Sequence, residues 1–146
     1  MSTRREARQH VEVVRRERVQ RGAAPGDRRL TVVIPAYQEG ARAGEAVHAL
    51  RRALGPVVSG GGLEIVVVDD GSTDRTADAA RAAGADRVLV LPRNRGKGAA
   101  VRAGVLAASG RTIAYTDADL SYPPEQILGL VQLVEEGWDV VVGSRR

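Results

Sequence analysis

The stretch Leu63-Glu64-Ile65-Val66-Val67-Val68-Asp69-Asp70-Gly71-Ser72 joins a run of mostly β-branched, apolar residues to a polar turn. Such near-continuous apolar runs are typical of strands that a parallel sheet buries on both faces. The stretch therefore predicts a buried strand over Leu63–Val68 and a turn at Asp69–Ser72. The Ala-rich segment after it predicts a helix that stops at Gly84.

The same alternation of strand and helix extends in both directions along the chain. Further strands are predicted at Leu30–Ile34 (ended by Pro35), Val88–Leu91, Thr112–Thr116 and Asp139–Val142. Helices are predicted over Ala43–Leu54, over Lys97–Ala108, and from Pro123-Pro124 to Gly137. This alternation predicts an α/β, Rossmann-like fold, in which helices cover both faces of a mostly parallel sheet.

Charge divides the chain into two parts. Residues 1–29 hold nine Arg against four acidic residues, whereas residues 30–146 hold 13 basic and 14 acidic residues. This predicts a basic N-terminal tail and linker (1–29) attached to a near-neutral domain (30–146). A solvated tail is the favoured interpretation of residues 1–22; a polar helix and peripheral contact with anionic lipid are the alternatives.

Composition also narrows the class of protein. Nucleic-acid binding is not expected, because the domain is near-neutral and has few aromatic residues for stacking, three Tyr and one Trp. The chain has no Cys, which excludes disulfides and thiolate metal sites and fits a reducing compartment. It shows no secretory signal and no apolar stretch of membrane-spanning length. We therefore expect a soluble cytoplasmic protein, in solution or at the cytoplasmic face of the membrane.

Polar clusters follow each predicted strand. They are Tyr37-Gln38-Glu39, Asp69–Ser72, Arg93–Lys97, Asp117–Ser121 and Ser144-Arg145. In open α/β sheets, ligands bind beyond the carboxyl ends of the strands. We therefore expect these clusters to meet at one rim of the sheet.

Asp117 and Asp119 flank one small residue just after a predicted buried strand. Two carboxylates so close together repel each other unless a cation lies beside them. A divalent ion bridging to a diphosphate would meet that need, since Mg²⁺ and Mn²⁺ take carboxylate and phosphate oxygens. The alternative is a solvated turn in which an Asp caps the helix near Pro123.

Asp69 and Asp70 form the second acidic cluster. Gly71 permits a sharp turn close to a ligand, and a carboxylate here can accept hydrogen bonds from the ring N–H groups of a nucleobase. The alternative is a plain strand-to-helix turn in which Ser72 or Thr73 caps the next helix. That alternative leaves the adjacent pair of Asp residues unexplained.

Lys97 is the only lysine of the chain, in which every other basic residue is Arg. It lies between two glycines at a predicted helix start, where backbone N–H groups can approach an anion. The loop does not match the GxxxxGK[ST] phosphate loop, so an NTPase is not predicted.

Together these segments resemble family 2 glycosyltransferases of the GT-A fold, and within them the polyprenyl (dolichyl) phosphate glucosyl or mannosyl synthases. The resemblance runs from about Leu30 to the last residue. The segments that carry it are Val33–Glu39, Val67–Asp74, Asn94–Ala99, Thr116–Ser121 and Val142–Arg145.

The resemblance implies roles for individual residues. Those implied to bind the donor are Pro35, Ala36, Tyr37 and Glu39 in the nucleotide pocket, Val68 and Asp70 at the nucleobase, Lys97, and Asp117 and Ala118 at the ribose and diphosphate. Asp119 is implied as the catalytic metal ligand, with Asp117 beside it. Ser121 stands where some mannosyl members carry a longer metal-ligating side chain. Arg145 is implied to face the acceptor phosphate or the leaving diphosphate, and Gln38 stands where the family usually has Asn.

The resemblance also implies an activity: inverting transfer of a hexose from UDP-glucose or GDP-mannose to a polyprenyl phosphate, with Mg²⁺ or Mn²⁺. An acceptor-binding half is then expected beyond Arg146. Two alternatives remain open. One is a non-catalytic nucleotide-sugar-binding module. The other is a nucleotidyltransferase, which would typically carry a Gly/Arg/Lys-rich loop where Pro35–Glu39 stands here.

Overall fold

The computed structural model describes residues 10–14, 28–58 and 62–144. Its strands are β1 (His10–Val14), β2 (Leu30–Ala36), β3 (Leu63–Asp69), β4 (Arg87–Val90), β5 (Thr112–Tyr115) and β6 (Val140–Ser144). Its helices are α1 (Ala41–Leu54), α2 (Thr76–Ala82), α3 (Lys97–Ala107) and α4 (Glu125–Glu135). In this part of the chain, no helix is long and apolar enough to cross a bilayer.

The main sheet has four parallel strands in the order β4-β3-β2-β5. Successive strands first add to one side of β2, and β5 is then placed on its other side. The strand order therefore reverses between β2 and β5, and such a switch point opens a crevice at the carboxyl ends of the strands.

Helices cover both faces of the main sheet, as predicted. Val32 and Ile34 of β2 lie in the larger core cluster, which contains residues of α1, α2 and α4. Val33, between them, lies in the smaller cluster with Ala100 of α3. All three β2 side chains are fully buried. Burial of alternate residues on opposite faces explains why β2 is apolar over residues 32–36.

Pro35 does not end β2, which continues to Ala36. The backbone groups of Val33 point toward β5, because the carbonyl of Val33 accepts the N–H of Thr116 at 3.0 Å. Pro35 faces the same side two residues later, beyond the end of β5. A proline is tolerated there because no neighbouring strand requires the N–H group that it lacks.

The last predicted strand does not join the main sheet. β6 pairs antiparallel with β1 in a separate two-stranded sheet, with His10 opposite Ser144 and Val14 opposite Val140. The expectation of a solvated or helical tail is therefore wrong for residues 10–14, whose valines favour extended backbone. Residues 1–9 and 15–27 lie outside the described part.

A buried polar network fastens the sheet at the end opposite the crevice. Glu64 is 4% exposed, and its carboxylate accepts hydrogen bonds from Thr31 Oγ1, Ser109 N and Ser109 Oγ at 2.8–2.9 Å. Gly110 N in turn donates to Thr31 Oγ1 at 2.8 Å. Burial raises the pKa of Glu64, but these hydrogen bonds and the charge of Arg28 outweigh it, so the pKa lies below its ordinary value.

Gly71 sets how closely two loops approach at the crevice end. Its φ is +75°, and a Cβ atom built there would lie 2.4 Å from the carbonyl carbon of Arg93 and 2.6 Å from Asn94 N. The loop between β4 and α3 therefore packs directly on the turn after β3. Gly84 shares the left-handed conformation, at φ +83°, but nothing lies within 4 Å of its Cβ position.

We expect Glu64→Gln to lower the free energy of unfolding by about 1–2 kcal/mol at pH 7, because hydrogen bonds to a charged acceptor are lost. The folded-state pKa is depressed. The stabilisation is therefore present above the unfolded-state pKa of about 4.3 and is lost as pH falls through the lower folded-state value. Urea denaturation between pH 3 and pH 7 measures both effects. Glu45→Gln, at an exposed position of α1, is the control; equal losses in both variants would contradict the role of the network.

Gly71→Ala should destabilise the protein by about 1–3 kcal/mol more than Gly84→Ala, because overpacking adds to a backbone cost that both substitutions share. Thermal unfolding of the two variants measures the difference. Equal losses would show that the close approach to Arg93 contributes nothing.

Candidate functional site

A cleft of about 300 Å³ opens at the carboxyl ends of the main-sheet strands, over the switch point. The loops that follow β2, β3, β4 and β5 all contribute to it, which confirms the predicted convergence for four of the five polar clusters. The fifth, Ser144-Arg145, does not follow a strand of the main sheet, because β6 ends at Ser144 and pairs with β1. Its lining includes the predicted residues Pro35, Ala36, Tyr37, Glu39, Asp70, Lys97, Asp117, Ala118 and Asp119. Asn94, Gly96 and Ala100 also line it, and sequence reasoning gave them no separate role.

Two predicted residues of the described part of the chain do not line the cleft. The side chain of Val68 is fully buried in the core cluster that contains Ala100, and its contact with a nucleobase stays a prediction. Ser121 Oγ donates to Asp119 Oδ2 at 2.8 Å and thus supports that carboxylate. Arg145 lies outside the described residues, and its role stays a prediction.

Asp70 anchors the loop between β4 and α3. Its side chain is 3% exposed, and its two carboxylate oxygens accept the backbone N–H groups of Arg95 at 2.8 Å and Gly96 at 2.9 Å. The structure shows an acceptor for two backbone amides, which fixes the residue before Lys97. The predicted contact of Asp70 with a nucleobase N–H stays a prediction.

Ser72 and Thr73, in the turn after β3, bind the turn after β2. Neither of them caps α2, so the capping alternative does not describe them; Asp74 Oδ1 accepts the N–H group of Thr76, the first residue of α2, at 3.0 Å. Gln38 N donates to Ser72 Oγ at 2.9 Å, and Thr73 N donates to Gln38 Oε1 at 2.8 Å. Two polar turns therefore brace each other across the β2–β3 pair.

Gln38 has a φ of +52°, an uncommon conformation for a residue other than glycine. Its amide reaches both the backbone and the hydroxyl of Thr73, at 2.8 and 3.1 Å. These contacts hold the backbone between Tyr37 and Glu39, two residues of the cleft lining. The Gln side chain, which stands where the family usually has Asn, thus supports the backbone of the cleft lining.

The acidic turn after β5 forms one wall of the cleft. Ala118 is buried, whereas Asp117 and Asp119 on either side of it are exposed. Asp119 accepts hydrogen bonds from Ser121 N at 3.0 Å and Ser121 Oγ at 2.8 Å. No side chain caps α4, so the capping alternative does not describe this turn.

Lys97 crosses the cleft to the acidic turn. Its Nζ lies 2.5 Å from Asp117 Oδ1 and 5.8 Å from the centroid of the Tyr115 ring. The hydrogen bond to Asp117 and the charges of Asp117, Tyr115 and Asp119 raise the pKa of Lys97, against a smaller effect of burial. The sequence predicted that Lys97 binds the donor, but its ion pair with Asp117 was not predicted. The signal for a special role was that Lys97 is the only lysine of the chain.

The side chains of the cleft could hold a divalent metal ion only if a bound ligand also supplied coordinating atoms. Across residues 10–14, 28–58 and 62–144, no group of three or more His, Cys, Asp or Glu side chains could hold an ion. Two neighbouring carboxylates such as Asp117 and Asp119 suit Mg²⁺ or Mn²⁺ when phosphate oxygens complete the coordination. The donor set therefore matches an ion that arrives with a diphosphate.

Comparison with known proteins agrees with this geometry. The chain is 42% identical over 123 residues to the undecaprenyl-phosphate 4-deoxy-4-formamido-L-arabinose transferase of Pseudomonas aeruginosa, a match that covers 80% of this chain and 35% of that protein. The chain thus spans about a third of the length of the curated relatives that it matches.

Two solved structures share the fold. Glucosyl-3-phosphoglycerate synthase from Mycobacterium tuberculosis, in complex with Mg²⁺ and uridine diphosphate, aligns with a TM-score of 0.60 at 32% identity, covering 74% of this chain and 40% of that one. A mannosyltransferase from Pyrobaculum calidifontis, in complex with GDP-Man and Mn²⁺, aligns with a TM-score of 0.60 at 28% identity, covering 77% and 34%.

The family described as Glycosyl transferase family 2 has a sequence model that matches residues 31–146. That range contains the main sheet except its first residue, Leu30, together with the cleft and the acidic turn. The chain therefore belongs to glycosyl transferase family 2, and its main sheet and cleft are those of a GT-A fold.

Proposed function

We propose that this chain forms the donor-binding half of an inverting, metal-dependent glycosyltransferase that moves a sugar from a nucleoside-diphosphate sugar to a polyprenyl phosphate. The observation that carries the proposal is the cleft at the switch point, with Asp117 and Asp119 on one wall and Lys97 reaching across it. Two carboxylates and one ammonium at an open strand end suit a metal-bound diphosphate.

The donor is proposed to be UDP-glucose or GDP-mannose. Support comes from the solved relatives, one of which binds uridine diphosphate and another GDP-Man. The undecaprenyl-phosphate relatives use a formamido-arabinose, so a pentose derivative is the competing donor sugar. Tyr37 and Glu39, held by the Gln38 contacts, are proposed to line the nucleoside end of the cleft.

The metal is proposed to be Mg²⁺ or Mn²⁺, held by Asp119 with Asp117 beside it. Bound there, it would supply positive charge to stabilise the leaving diphosphate. Lys97 adds a second cation at the start of α3, where backbone N–H groups also favour anions. Ser121 orients the Asp119 carboxylate through its N–H and hydroxyl groups.

The acceptor is proposed to be a polyprenyl phosphate, as the names of the curated relatives suggest. A phosphate acceptor is already anionic, so the reaction needs no general base to activate it. Cell-envelope glycan synthesis at the cytoplasmic face of the membrane is the matching process.

A non-catalytic nucleotide-sugar-binding module is the second candidate. It shares the cleft with the enzyme, since Asp117, Asp119 and Lys97 would hold a nucleotide sugar whether or not transfer follows. Donor binding without donor hydrolysis and without transfer of label to undecaprenyl phosphate would support the module over the enzyme.

We expect calorimetric titration with UDP-glucose or GDP-mannose to show binding that requires Mn²⁺. Asp119→Ala should weaken that binding by more than about 10-fold, because even the partners of metal ligands contribute 10–100-fold to metal affinity. Circular dichroism should show an unchanged fold, since Asp119 is exposed.

Asp78→Ala is the matched control, because Asp78 is exposed on α2 and does not line the cleft. It should bind donor as the unaltered chain does. Undiminished, metal-dependent affinity in Asp119→Ala would remove the assigned role of the acidic turn.

A further inference from the structure

The Lys97–Asp117 pair places a positive charge where the proposed function requires a metal ion. Lys97 Nζ lies 2.5 Å from Asp117 Oδ1, and the charge of Asp119 also contributes to the raised pKa of Lys97. The ammonium therefore supplies a cation of the kind that two adjacent carboxylates need.

We propose that Lys97 is an internal competitor of the divalent ion at Asp117 and exchanges onto the diphosphate when the donor binds. The inference rests on the proposed function and adds an order of events to it. Metal binding and diphosphate binding become coupled, because each is weak without the other.

A metal ion without nucleotide would meet two obstacles. It would have to displace an ammonium from Asp117, and it would find no third acidic or His side chain within the described residues. A metal ion with a diphosphate meets neither, since phosphate oxygens complete its coordination and also offer Lys97 a new anionic partner.

The structure also allows Lys97 to move. Its side chain and that of Asp117 are 56% and 49% exposed, so the pair is partly solvated and its rupture leaves no buried charge. The backbone that carries Lys97 is fixed, because Gly96 N is bound to Asp70 Oδ2 at 2.9 Å. Only the flexible side chain has to swing from the acidic turn toward the diphosphate.

The coupling is reciprocal by thermodynamic necessity: the factor by which diphosphate tightens metal binding equals the factor by which metal tightens diphosphate binding. Such factors are typically about 5–150-fold. Removing the ammonium removes one of the two obstacles. The affinity for the metal ion without nucleotide should therefore rise, and the coupling factor should fall.

The test is titration of Mn²⁺ into the chain with and without uridine diphosphate, with free Mn²⁺ measured by electron paramagnetic resonance. Lys97→Met should bind Mn²⁺ alone about two- to fivefold more tightly than the unaltered chain, as expected for loss of a partly exposed ion pair. Its affinity for uridine diphosphate should fall, and so should the coupling factor.

Two controls isolate the position of the charge. Lys97→Arg keeps a cation at the site and should bind Mn²⁺ alone as weakly as the unaltered chain. Arg102→Met removes a charge from an exposed position of the same helix, outside the cleft lining, and should change neither affinity.

Unchanged or weaker binding of Mn²⁺ alone in Lys97→Met would overturn the exchange, whatever its effect on nucleotide. Failure of the unaltered chain to bind either uridine diphosphate or guanosine diphosphate with Mn²⁺ would instead overturn the proposed function. The two failures are distinguishable, since the Mn²⁺ titration without nucleotide tests the competition at Asp117 alone.

Discussion

The carboxylate of Asp70 joins the two halves of the cleft. Asp70 directly follows the buried strand β3, and its carboxylate accepts the N–H groups of Arg95 and Gly96, so it fixes the point from which α3 starts. Lys97 is the next residue, and its ammonium reaches Asp117 at the end of β5. The buried Asp70 carboxylate thereby sets the spacing between the β2–β3 pair and the acidic turn after β5, on the far side of the switch point.

The strands of the main sheet were predictable because their signal is local. A strand buried on both faces is apolar along most of its length, and residues 65–68 show this without reference to the rest of the chain. Convergence of the polar loops followed from the rule that parallel strands place their carboxyl ends at one edge. The GT-A assignment followed from the order of the motifs in those loops.

The errors arose where a residue's partner is distant in sequence. Pro35 stays in β2 because β5 has already ended beside it, which no local pattern shows. The valines of residues 10–14 form a strand because residues 140–144 lie opposite them. Ser72 and Thr73 resemble helix caps, but Gln38 lies 34 and 35 residues away in sequence and binds them instead. The roles of individual site residues depend on contacts between residues distant in sequence more strongly than the fold does.

The Glu64 network has a consequence for how the cleft accommodates a ligand. It fixes Ser109 and Gly110 just after α3, while Asp70 fixes the residues just before it, so the helix is tethered at both ends. A helix held at both ends in this way is preorganised. Little of its backbone therefore has to become ordered when a nucleotide binds. The heat-capacity change of association should therefore reflect the apolar area covered by the ligand itself, with little contribution from coupled folding.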